Sequence, residues 1–327
     1  MLLIVSHRRT LRHPLCQRLF LYGMAVAALT LAAASAQAQT CTVSMTSVAF
    51  GTVNVLPGTP VDTTATLTIN CSGGTGNGGQ RVCVSMGCGA ACDSTSRKMT
   101  SGTNSARYDL YSDSGRTTLW GSWHTGYDTA GVQLDVGKNS ATNVTVYARF
   151  LASQQTDAAA AYTSAFSGDP FISYVNKSGS VPACPTGTLT ATGSASVTGT
   201  VSSNCTVSAT NISFGSQGIL SGNKDAQGSL TIQCTSALPY TVSLDGGLSG
   251  ATDPTQRKMS LSGANVVYGL YRDSARTQPW GSTSGVNTAS GTGTGLTQTM
   301  NVYGRVAAQT TPKSGTYTDS VVATITY

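Results

Sequence analysis

One ordered series of motifs runs through this chain twice, which constrains the fold more than any single residue does. The first copy opens Cys41-Thr42-Val43-Ser44 and reaches Phe50-Gly51; the second opens Cys205-Thr206-Val207-Ser208 and reaches Phe214-Gly215. Leu67-Thr68-Ile69-Asn70-Cys71 is answered by Leu230-Thr231-Ile232-Gln233-Cys234, and Arg97-Lys98-Met99 by Arg257-Lys258-Met259. Leu110-Tyr111-Ser112-Asp113 leads through Arg116-Thr117 to Trp120-Gly121, and Leu270-Tyr271-Arg272-Asp273 through Arg276-Thr277 to Trp280-Gly281. Val146-Tyr147-Ala148-Arg149 pairs with Val302-Tyr303-Gly304-Arg305, and Tyr162-Thr163 with Tyr317-Thr318. A shared order over this length means two homologous domains.

The copies differ in one element. From Thr188 to Val201 every even position is Thr or Ser and every odd one is Leu, Ala, Gly or Val, the period of a strand with one buried face. Nothing comparable follows Tyr327, so the second copy is expected to take such a strand from another chain. Its closing segment puts Tyr317, Val321, Ala323, Ile325 and Tyr327 on one face and Thr and Ser on the other. That apolar face beside an unpaired edge invites strand addition.

Short alternating runs between Gly, Asn, Asp and Ser turns, with no Glu and no stretch of helix formers, predict an all-β protein. The expected architecture is two tandem immunoglobulin-like antiparallel β-sandwiches, the C-terminal one lacking its last strand. Arg8, Arg9, Arg12 and Arg18, an apolar run from Leu19 to Ala34 and Ala36-Gln37-Ala38 mark a signal peptide over 1–38. The remainder divides into an N-terminal domain (39–187), a linking strand (188–201) expected to complete it in cis, and a C-terminal domain (202–327).

The leader holds four of nineteen basic residues and none of the thirteen acidic ones, so the mature charge is 15 minus 13, or +2. No basic run is left to follow a phosphate backbone, which excludes nucleic acid as a partner. Eight cysteines remain in an exported chain, and disulfides are expected. Cys41 with Cys71, and Cys205 with Cys234, flank matching spans; Cys83, Cys88, Cys92 and Cys184 form two further bridges whose pairing stays open. Neither a metal nor a cofactor is called for. His124 is the one mature histidine, so a catalytic triad has little to be built from, and the chain is read as no enzyme. Gly74-x-Gly76-x-x-Gly79 matches a dinucleotide fingerprint only formally, with no helix after it. The pair Arg97-Lys98, repeated as Arg257-Lys258, reads as a solvated turn.

The CTVS opening, the FG, the RKM turn, the LYxDxxRTxxWG run and the final GTYxDxVxxxIxY resemble spore-coat-U-type domains, which build archaic chaperone-usher pili. Two in tandem resemble the tip adhesin of a Csu-type pilus, exported through the periplasm to the cell surface and acting in biofilm formation. The resemblance implies a periplasmic pilus chaperone, an outer-membrane usher, an adjacent pilin subunit donating a strand, and an abiotic or host surface as partners. It also implies apolar loops on the first domain that grip the surface. Where copy one adds to copy two, the candidates are Trp123, His124 and Tyr127 after Trp120, and Phe166, Pro170 and Phe171 further on, with Cys83 to Ser96 as a third addition. The alternative place for Phe166, Phe171 and Tyr174 is the core of a closing strand. Two other functions fit the same domains: a secreted coat or matrix protein without a pilus, and a lectin stacking Trp123 and Tyr127 on sugar rings.

Overall fold

The structure, a computed structural model, describes residues 39–73, 78–124, 127, 130–177, 180–187 and 189–327. The signal-peptide reading of 1–38 lies outside the described residues, as does Thr188. Among the described residues there are strands and turns and no helix.

The first repeat forms β1 (Thr40–Met45), β2 (Val48–Val53), β3 (Val61–Ser72), β4 (Gln80–Ser85), β5 (Ala91–Cys92), β6 (Arg97–Ser101), β7 (Asn104–Tyr111), β8 (Val132–Val136), β9 (Ser140–Phe150), β10 (Ala160–Asn176) and β11 (Leu189–Val201). The hydrogen-bonded order is β1-β3-β9-β7-β6-β10-β11-β2, with β5 on β6, β4 on β10 and β8 on β4. A register shift between Ser167 and Phe171 bends β10, whose first half reaches β6 and whose second half takes β4. Alternation decides what faces inward: along β3, Ala65, Leu67, Ile69 and Cys71 are buried while Thr64, Thr66, Asn70 and Ser72 are exposed. The two layers enclose Leu67, Ile69, Val146, Trp120 and Phe150, with Phe50 edge-on to Tyr108 and Phe150 at 6.4 and 5.9 Å.

The second repeat forms β12 (Cys205–Ala209), β13 (Lys224–Cys234), β14 (Pro239–Leu244), β15 (Arg257–Leu261), β16 (Ala264–Tyr271), β17 (Ala289–Thr292), β18 (Thr297–Val306) and β19 (Ala323–Thr326). Its sheets run β12-β13-β18-β16-β15 and β17-β14-β19 around Ile232, Val242, Leu270 and Trp280.

The repeated residues build the same parts in both. Each Trp donates its indole N–H inward, Trp120 to Val84 O and Trp280 to Val242 O. Asp113 and Asp273 accept backbone N–H bonds from the turns that follow, at 3.0 Å from Thr117 and Thr277. Gly51 and Gly215 hold φ of 67° and 68°, which only glycine adopts without cost. Cys41 faces Cys71, and Cys205 faces Cys234, in neighbouring strands, and both pairs are bridged. The four remaining cysteines pair as Cys83–Cys184 and Cys88–Cys92.

The arginines of the RKM motif correct the solvated-turn reading. Arg97 and Arg257 are fully buried, and only Lys98 and Lys258 reach the outer face. A turn of two cations looks solvated in sequence, but strand alternation sends its first member inward, where backbone carbonyls take up the guanidinium: Met86, Gly87 and Trp120 for Arg97, and Leu244, Asp245, Pro254 and Trp280 for Arg257.

Candidate functional site

Two places stand out: the loops of the first sandwich around Trp123, and the open side of the second. The side chains singled out in the first place divide sharply. Tyr127 is 5% exposed, its hydroxyl donates to Asp109 Oδ1 at 2.5 Å, and the Arg97 guanidinium lies 4.0 Å from its ring centroid. Phe166 is 2% exposed, and Pro170 is buried at the bend of β10. These three cannot offer their rings to a surface. Tyr127 instead turns back into the core, while Phe166 and Tyr174, at 4%, occupy the inward positions of β10.

The outer group consists of Trp123, His124 and Phe171. His124 is exposed and lies flat on the half-buried Phe171, with ring centroids 3.7 Å apart and 4° between planes. Trp123 is half-buried, and its backbone N–H donates to Ser85 Oγ at 3.1 Å. Phe171 stands opposite Ser85 in the β10–β4 pairing, which brings the two loops to one place. Beneath them Asp169 is 9% exposed, and burial pushes its carboxyl up despite a hydrogen bond from the Gly87 amide. The Cys83 to Ser96 stretch borders this group, its Ala90 N–H donating to Ser164 Oγ and its Asp93 paired with Lys98 at 2.8 Å.

The second place is seen best by comparing the two sandwiches. In the first, β11 lies between β10, antiparallel, and β2, parallel. Its odd residues point inward, with Val197 and Val201 at 0% and 2% exposure and Gly199 passing Phe50 and Met99. Under that strand Val48, Phe50, Met99, Tyr162 and Phe166 are at most 7% exposed. Their counterparts Ile212, Phe214, Met259, Tyr317 and Val321 are all half-exposed. Neither 210–215 nor 317–321 belongs to a strand, and among the described residues no strand runs between them. Of the expected acceptor face, Tyr317, Val321, Ala323 and Ile325 alternate with exposed neighbours along one side of the groove, whereas Tyr327 is 54% exposed and departs from the pattern.

Sequence reasoning passed over Asp109, which is buried against Arg97. Its signal was a mismatch between copies: Asp109 precedes the repeated Leu-Tyr pair where the second copy has Gly269.

The model of the Spore Coat Protein U domain matches residues 27–168 and 191–324. Protein U of Myxococcus xanthus is 39% identical over 106 residues, which is 31% of this chain and 59% of that relative, so the chain spans less than two thirds of its length. The crystal structure of the CsuC–CsuE chaperone–tip adhesion subunit pre-assembly complex, from archaic chaperone-usher Csu pili of Acinetobacter baumannii, includes a chain similar to this one. The identity is 17%, the TM-score 0.50, and the match covers 88% of this chain and 100% of the other. At that identity the likeness speaks for the fold.

Proposed function

Since the chain belongs to the Spore Coat Protein U domain family through both of its halves, we propose that it is a pilus adhesin subunit placed at the fibre tip. The first sandwich makes contact with an abiotic or host surface through the loops bearing Trp123, His124 and Phe171, and the second joins the fibre by taking a strand from an adjacent pilin. Before that, a periplasmic chaperone covers the same groove, and an outer-membrane usher is the site of exchange. The protein is then exported to the cell surface and performs no catalysis.

One observation carries this reading: homologous side chains are sealed under β11 in one sandwich and half-open in the other. Covering the parts of Ile212, Phe214, Met259, Tyr317, Val321 and Ile325 that are still exposed would contribute about 1 kcal/mol or less each, since most of every side chain is already out of water. A donated main chain would add the missing hydrogen bonds. The lectin reading loses one of its two rings with the burial of Tyr127.

The test is hydrogen exchange on the full chain, expressed in the periplasm with and without a pilus chaperone. Amides of 211–215 are expected to exchange far faster than those of 48–53 when the chain is alone, and the chain to aggregate; chaperone should slow the exchange and keep it soluble. A soluble monomer protecting both stretches equally would overturn the strand-acceptor reading. For the contact loops, Trp123→Ser with His124→Ser should lower attachment to polystyrene severalfold without lowering fibre assembly. Undiminished attachment would remove the assignment.

A further inference from the structure

Asp109 is 2% exposed and sits against Arg97, itself fully buried, with Arg97 Nη1 donating to Asp109 Oδ1 at 3.2 Å. Removing a carboxylate from water is costly, and a buried ion pair is often no better for stability than apolar packing of the same volume. The second sandwich provides an internal control. There Gly269 stands in place of Asp109, and Arg257 is satisfied by the carbonyls of Leu244, Asp245, Pro254 and Trp280 at 2.7 to 3.3 Å. Arg97 has the equivalent carbonyls of Met86, Gly87 and Trp120 at 2.6 to 2.7 Å. The fold therefore closes around its arginine without a carboxylate bonded to it, since Asp245, Asp253 and Asp319 act on Arg257 only through longer-range attraction.

What Asp109 adds is a hold on Tyr127. The carboxylate accepts the Tyr127 hydroxyl, while the guanidinium it pairs with covers the Tyr127 ring, so this side chain is gripped at its end and on its face. Tyr127 belongs to the same connection as Trp123 and His124, between Trp120 and Val132. The second sandwich closes the matching connection differently: Asn287 Oδ1 accepts from the Thr283 amide and Asn287 O from the Gly281 amide, with no side chain sent back to the arginine. Carboxylate, tyrosine and surface aromatics thus occur together in one copy and are absent together from the other.

We propose that Asp109 is a positioning residue: with Arg97 it clamps Tyr127, and through Tyr127 it holds Trp123 and His124 in the arrangement in which they meet a surface. This rests on the assignment of that loop to attachment, and it adds what fixes the loop.

The experiment uses the full-length protein and two variants. Tyr127→Phe removes the hydroxyl and keeps the ring over Arg97; Asp109→Ala removes the acid, as the second copy does. In both, exchange at the Trp123 and His124 amides should rise about tenfold, the equivalent of one lost charge-assisted hydrogen bond, while Leu110 and Val146 keep their protection and attachment to polystyrene falls. Unchanged exchange at Trp123 and His124, or a rise shared equally by Leu110 and Val146, would overturn the clamp. Trp123→Ser serves as the separate control: if it leaves attachment intact, the attachment assignment falls, and the exchange result still decides the clamp.

Discussion

Asp157 shows how much one carboxyl can depend on its surroundings. Its Oδ2 is buried with no hydrogen-bond partner, and burial pushes its pKa up to about 6, with Arg107 pulling weakly the other way. Because the folded value lies above the unfolded one, the protonated form is favoured in the native state. The stability this confers is present below about pH 4 and lost as pH rises through about 6. Asp157→Asn should therefore raise stability at pH 8 by about 1 kcal/mol, after allowing for solvent screening, and change nothing at pH 3.5, as urea denaturation at the two values would show. A gain of the same size at both would refute it. At this scale the sequence misled where polarity and burial part company. Arg97 looked solvated and Tyr127 looked like a surface tip, yet each is interior because a partner on another strand or loop receives it. No local pattern announces such a partner.

Elements were far more legible, because a strand's face is written into its own period. The alternation from Leu189 to Val201 puts Ala191, Gly193, Ala195, Val197, Gly199 and Val201 inward, as the burial of the odd positions shows. What the alternation lacked was an address, and the pairing with β10 and β2 supplies one. Val197→Ala should cost the first domain about 2 kcal/mol, since Val197 is fully buried, whereas Thr198→Ser on the outer face should stay within about 0.5 kcal/mol. Equal effects in chemical denaturation would mean that β11 does not seal that core. The bend of β10 between Ser167 and Phe171 was not legible; it splits the aromatic cluster read from the sequence, leaving Phe166 inside and Phe171 half out.

The whole molecule joins a closed sandwich to an open one through a very short connection. β11 ends at Val201 and β12 begins at Cys205, and Thr235 Oγ1 donates to Ser202 O at 3.1 Å across the join. Gln233 Nε2 donates to Leu56 O at 3.2 Å, and Ala158 bridges Ser236, so loops of both domains meet there. Calorimetry of the full chain should show the second domain melting first, because its groove-lining side chains remain partly exposed and it holds one disulfide against three. Reducing Cys205–Cys234, which closes a separation of 29 residues, should cost that domain about 3 to 4 kcal/mol. A bound strand should raise the lower transition alone; a single coincident transition would contradict the picture of one closed and one open sandwich.

The sequence by itself determined the duplication, the all-β class and the inward face of the linking strand, because repeats and a period of two are local properties that survive without knowledge of neighbours. Only the tertiary structure decided which sandwich is sealed, which aromatic rings reach solvent and why a charge is buried beside Tyr127. Those depend on which distant segment arrives to cover a side chain or accept its proton, and that is a matter of packing between strands far apart in the chain.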